Sequence, residues 1–145
     1  RGAHLPWLQA TPDPVTTVVW QTWVELNPRT AEDLGVREGD IVEVESPHGI
    51  IQAPVYVHPA APPDVVAIPV GQGHTLYGRY AQQRGANPFS ILAPRTDQET
   101  GALAWAATRV RIRATGQHIR MPKFEGNVEP IQDPEHPIVQ VTRPV

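Results

Sequence analysis

A chain of 145 residues carries one domain's worth of core, and its net charge of −3 with 19% charged residues gives no electrostatic footprint for nucleic acid. It has no cysteine, which excludes disulfides, thiolate zinc sites, iron–sulfur ligation and cysteine nucleophiles within the chain. No apolar run approaches the roughly 20 residues that a membrane helix needs. The chain starts at Arg1 and its one methionine is Met121, so we expect it to be processed or part of a longer polypeptide.

Taken in order, Pro6, Pro12 and Pro14 mark residues 1–15 as an irregular N-terminal segment. In that segment Trp7 is expected to plug an apolar pocket on a neighbouring domain. Residues 16–26 are rich in β-branched and aromatic side chains and predict a strand, with Trp20 and Trp23 on opposite faces. Asn27 suits a helix N-cap, Pro28 the first helical position and Gly35 the left-handed end, so a short helix with Ala31 and Leu34 inward follows. Residues 41–46 alternate, with Val42 and Val44 on the buried face, and a turn at 47–49 leads into a second strand to residue 57. Pro54 removes a ladder donor there, which predicts an edge or a bulge. Residues 64–70 read as a short buried strand, residues 76–84 as a weakly helical piece ending at Gly85, and Asn87-Pro88 as a turn. Residues 103–113 predict a last strand, with Val110 and Ile112 inward and Arg109, Arg111 and Arg113 outward. Beyond Gly116, prolines and spaced apolar side chains predict an extended arm laid over another domain. Short strands separated by helical and irregular crossovers favour a small, mainly β barrel over a sandwich.

Residues 24–44, with the sequence VELNPRTAEDLGVREGDIVEV followed by Ser46-Pro47-His48-Gly49, closely resemble the molybdopterin-dinucleotide-binding domain at the C-terminus of the dimethyl-sulfoxide-reductase superfamily. The resemblance covers residues 16–113. Residues 71–80, with Gly85-Ala86-Asn87-Pro88, are similar to the polysulfide-reductase-like and alternative-complex-III branch. It implies a double-psi β-barrel over residues 16–115 with one or two short helices, and a Pro-rich arm over 116–145 packing on a partner domain. It implies a molybdopterin guanine dinucleotide carrying molybdenum or tungsten, with metal ligands and substrate pocket on other domains. The implied partners are the remaining domains of a parent subunit, an iron–sulfur domain or subunit, and a quinone-binding membrane subunit, in a membrane-associated complex on the extracytoplasmic face.

The loop after residue 70 is the leading cofactor candidate. Gly71 and Gly73 let backbone amides approach an anion, and His74 and Thr75 offer donors to pterin or phosphate oxygens. The bland alternative is a barrel crossover that needs glycine regardless. Arg79, and less so Arg84, suit pyrophosphate, although arginines in such a segment are more often solvated or paired with a neighbouring domain. Asn87 suits a pterin or guanine edge, or simply a turn. Asp97 suits the guanine amino and imino groups, or nothing beyond its loop. His4, His48, His58, His118 and His136 show no metal-ligand spacing, and Ser46 and Ser90 show no nucleophile context, so no catalytic residue is expected. Three functions stand open: a cofactor-binding domain of a molybdopterin oxidoreductase in a quinone-linked complex; a cofactor-less structural domain of the molybdopterin-like subunit of alternative complex III; and an unrelated double-psi binding module.

Overall fold

Alternation of apolar and charged residues over 41–45 shapes the first strand at the centre of the fold. Strand β2 (Asp40–Ser46) and strand β3 (Gly49–Val57) form an antiparallel hairpin, in register from Ile41 opposite Pro54 to Ser46 opposite Gly49. Val42 and Val44 are fully buried, while Glu43 and Glu45 turn to the other face and meet Arg113, whose guanidinium lies 3.0 Å from Glu45. Strand β4 (Arg111–His118) pairs antiparallel with β2, with a bulge between Asp40 and Val42. Strand β1 (Val24–Leu26) pairs parallel with β3. This computed structural model describes residues 2–124; among them the sheet is mixed and open, in the order β1-β3-β2-β4. The domain is therefore mainly β, with helices α1 (Pro6–Gln9) and α2 (Pro28–Asp33) and two 3₁₀ turns, Pro88–Ser90 and Trp105–Ala107.

The main core gathers Val24, Leu26, Val42, Val44, Val55 and Ile91, with Ala31 brought in by α2. Six residues are too few for a self-supporting helix, so this packing and the cap hold it. The Asn27 side chain accepts the Arg29 N–H at 2.9 Å and donates to the Ala61 carbonyl at 2.7 Å. Asn27→Ala is therefore expected to destabilise the domain by about 1–2 kcal/mol, read from the urea-unfolding midpoint.

A second cluster joins Val18 and Trp23 to Met121, with Tyr56 against it. The Val19 N–H donates to the Pro122 carbonyl and the Phe124 N–H to the Thr17 carbonyl, both at 2.9 Å. Residues 116–124 thus finish β4 and return to the chain's own core. The rest of the expected arm, residues 125–145 with Ile131, Ile138 and Val141, lies outside the described residues.

Five expectations change. Of residues 16–26, only the last three form a strand. Asp13 Oδ1 accepts the Val15 and Thr16 N–H groups and the Thr16 hydroxyl, which curls the chain, and Thr17 and Trp20 both sit at φ 58°. Residues 64–70 are not a buried strand: Val65 and Val70 are each 48% exposed, and pairing is limited to Ala67 with Glu25, where the Glu25 N–H donates to the Ala67 carbonyl at 2.8 Å. Residues 76–84 make turns, because Gly78 (φ 80°) and Gln83 (φ 56°) take left-handed backbone that interrupts a helix. The last strand starts at Arg111, after the turn Trp105–Ala107. Pro54 lies in a central strand, not at an edge; its missing N–H is tolerated because the β2 ladder ends opposite it and the β1 ladder begins at Val55.

Asp40 fastens the start of β2 to the end of β4. Hydrogen bonds from the Arg37 N–H and from the His118 imidazole hold its carboxyl below the usual carboxylate range. A depressed folded pKa contributes stability above the unfolded value of about 3.9, and that contribution is lost as pH falls through the folded pKa. Asp40→Asn is expected to remove this part of the acid limb, so its stability falls less steeply below about pH 4 than wild type in an acid-unfolding titration.

Candidate functional site

The 71–75 loop is assembled by backbone contact with residues 82–87. The Gly73 N–H donates to the Arg84 carbonyl at 2.8 Å, and the Gln83 N–H to the His74 carbonyl at 3.0 Å. Gly73 sits at φ 81°, and a Cβ there would lie 2.2 Å from the Asn87 nitrogen and 2.4 Å from the Ala86 carbonyl carbon. This approach admits no side chain, whatever its chemistry. Thr22, wholly buried at the foot of β1, locks the same segment: its hydroxyl accepts the Ala86 N–H at 3.1 Å and donates to the Ala86 carbonyl at 3.2 Å.

Gly71 differs. It is exposed at φ 115°, and nothing stands within 4 Å of where its Cβ would be. One face of the loop is packed and the other is open. The His74 ring nitrogen Nε2 lies 3.2 Å from the Gly71 carbonyl, and the ring rests 4.9 Å from Tyr77, which in turn meets His4 at 4.7 Å. Thr75 is exposed.

Of the residues singled out in the sequence, Gly71, Gly73, His74, Thr75 and Asn87 come together. The Asn87 side chain accepts the Phe89 N–H at 3.2 Å, capping the turn Pro88–Ser90. Arg79 is exposed and folds onto its neighbour, donating to the Tyr80 hydroxyl at 2.5 Å with its guanidinium 4.6 Å from the ring centre. Arg84 lies 4.8 Å over Trp20. Asp97 stands apart, in a turn closed by the Thr96–Leu103 bridge. Bonds from the Thr100 N–H and hydroxyl, and from the Glu99 N–H, keep its carboxyl below the usual range, and none of its hydrogen bonds reaches the 71–75 loop.

Two clefts meet where the loop begins. One, of about 730 Å³, runs between residues 64–70 and 105–110, walled by Val65, Ile68, Ile91 and Trp105 with Arg109 at its rim. The other, of about 230 Å³, is lined by Asp13, Trp20, Gln72 and the buried Gln9. Val70 belongs to both. Sequence reasoning missed these walls. Residues 64–70 look like core but line a cleft, and nothing in a proline-bounded segment marks Gln9 as buried.

The fold and this loop define a mainly β domain whose glycine crossover follows Val70, a residue shared by two clefts. Comparison with known proteins sharpens that class: the model of the molydopterin dinucleotide binding domain matches residues 8–108, and the chain belongs to that family. The agreement includes the resemblance carried by residues 24–44. The chain is 34% identical over 90 residues to the menaquinone reductase, molybdopterin-binding-like subunit of Nitratidesulfovibrio vulgaris, covering 62% of this chain and 13% of that protein. It is 31% identical over 120 residues to the arsenate respiratory reductase molybdopterin-containing subunit of a Shewanella species, covering 77% and 14%. Acetylene hydratase from Pelobacter acetylenicus shares the fold, with a TM-score of 0.53 at 22% identity over 63% of this chain and 14% of that one. The chain thus spans about one seventh of these proteins.

Proposed function

We propose that this chain is the domain that closes over a molybdopterin guanine dinucleotide in a molybdopterin oxidoreductase subunit, with the 71–75 loop at the ligand. The observation that carries the reading is the two-sided loop in a member of this family. Gly73 is locked into the fold, while Gly71 and Thr75 are exposed and nothing stands within 4 Å of a Cβ at Gly71. The cleft of about 730 Å³, whose wall includes Val70, the residue before the loop, is of the size of cofactor sites.

These residues fit the group. The open backbone at Gly71 admits a phosphate or a pterin edge, and His74 and Thr75 supply donors beside it. Arg79 reaches a pyrophosphate by leaving its exposed contact with Tyr80. Asn87 offers an amide edge once its cap to Phe89 is shared, and Asp97 is an acceptor for guanine at the end of a long ligand. The bound group supplies the redox centre; this chain's residues hold and orient it, and none is assigned a catalytic role. In this reading the open sheet and the Ala67–Glu25 pairing belong to a double-psi barrel.

The menaquinone reductase relative supports a wider setting. In that setting we propose that this chain's parent subunit works with an iron–sulfur partner and a quinone-binding membrane subunit, on the extracytoplasmic side. The same relative is itself described as "molybdopterin-binding-like", which favours a second reading: a structural domain with the cofactor lost, as in alternative complex III. Metal and pterin analysis of the intact parent protein separates the two. Molybdenum or tungsten near one atom per subunit, with a fluorescent pterin oxidation product, is the expected result. Absence of both overturns the first reading in favour of the second.

A further inference from the structure

Gln9 is a buried polar side chain with no part in the reading above: only 4% of it is exposed, and it sits at the end of α1. Its Nε2 donates to the Ala3 carbonyl at 2.8 Å, to Gln72 Oε1 at 3.2 Å and, at 3.4 Å, to the Tyr80 carbonyl. Its Oε1 accepts from Gln72 Nε2 at 2.6 Å. Its own carbonyl accepts the Trp20 N–H at 3.0 Å. One side chain thus touches the N-terminal segment, the start of the glycine loop and the far end of the turns that follow.

Gln72 stands between two glycines that both take positive φ, Gly71 at 115° and Gly73 at 81°. Glycine on both sides leaves the backbone of that stretch weakly determined by its own sterics. Gly73 is fixed by its contacts with residues 84–87, and on the Gly71 side the Gln72 side chain supplies the anchor. A reciprocal amide pair is directional, since each carboxamide gives one N–H and takes another, so it sets orientation as well as distance.

We propose that the Gln9–Gln72 amide pair is a positioning device for the cofactor loop, and that the N-terminal segment is a working part of the binding unit. This rests on the proposed binding of a pterin dinucleotide by the 71–75 loop. Neither glutamine touches the ligand; the pair holds Gly71 in the pose that presents its backbone outward.

The test uses the full-length parent protein, following release of its native pterin by fluorescence of the oxidised filtrate alongside the thermal midpoint. Gln72→Leu strands part of the Gln9 amide, so the midpoint falls and release quickens by roughly tenfold. In Gln9→Leu with Gln72→Leu the amide pair is gone as a unit but the Ala3 and Tyr80 carbonyls lose their Gln9 donor, so the midpoint recovers only part of the way, while release stays roughly tenfold fast because an apolar contact fixes no orientation. Gln72→Glu keeps the acceptor for Gln9 Nε2 and regains a donor only when its carboxyl is protonated. Its release, taken relative to wild type at the same pH, therefore slows as pH is lowered. Wild-type release in the double-leucine variant, or a flat pH profile in Gln72→Glu, overturns the inference while leaving the functional reading intact. A wild-type protein that yields no pterin overturns both.

Discussion

Gly73→Ala is expected to destabilise the domain by about 3 kcal/mol or more and to empty it of pterin. The added Cβ would sit 2.2 Å from the Asn87 nitrogen and 2.4 Å from the Ala86 carbonyl carbon. Both are backbone atoms, so no side chain can rotate away, and φ 81° adds strain of its own. Relief requires the 82–87 segment to move off, which breaks the Gly73–Arg84 and His74–Gln83 hydrogen bonds. Gly71→Ala is the informative partner. Its Cβ meets nothing within 4 Å, so the loss is limited to backbone strain, about 1–2 kcal/mol. Yet the methyl occupies the open face where the ligand is placed. Unfolding midpoints and pterin content measured on both variants separate packing from binding. Gly71→Ala should keep most of its stability and lose pterin; a Gly73→Ala protein with a wild-type midpoint contradicts the packing account.

The second large effect falls on Thr22. Thr22→Val keeps shape and volume but removes the hydroxyl that both accepts from and donates to Ala86. Thr22 is fully buried and Ala86 half-buried, and two backbone groups of Ala86 lose their partner at once. Each unsatisfied buried group costs about 1–3 kcal/mol, and the partial exposure of Ala86 lowers the top of that sum, so a loss of roughly 2–4 kcal/mol is expected from urea unfolding. Thr22→Ser retains the hydroxyl and removes one methyl, about 1 kcal/mol. Amide exchange at Ala86 gives the residue-level check: fast in Thr22→Val, near wild type in Thr22→Ser. Equal midpoints for the valine and serine variants would show that the hydroxyl does not hold the segment.

The hairpin and the capped helix were legible because their signals are local. Alternation over residues 41–46 places Val42 and Val44 inside, and Asn27-Pro28 with Gly35 brackets α2 through capping chemistry contained within nine residues. The misread stretches depend on distant partners. Residues 64–70 carry the apolar character of a core strand, but Pro69 interrupts the ladder and Val65 and Val70 wall a cleft. The strand expected from residue 16 fails because Asp13 draws the chain into a turn, a bonding choice that β propensity does not register. At the candidate site, the glycines pointed to the loop, and Gly73, His74 and Asn87 do come together. The clamp by Thr22 and the Gln9–Gln72 pair link residues 64 and 63 positions apart, beyond the reach of any local pattern.

The central claim is that the open face of the 71–75 loop holds a pterin dinucleotide. It is tested most directly by an experimental density map of the intact parent protein as isolated. The account predicts a pterin or phosphate oxygen within about 3.2 Å of a backbone or side-chain donor among Gly71, His74 and Thr75. A fully occupied dinucleotide lying elsewhere, with this loop in contact only with protein or water, would contradict it.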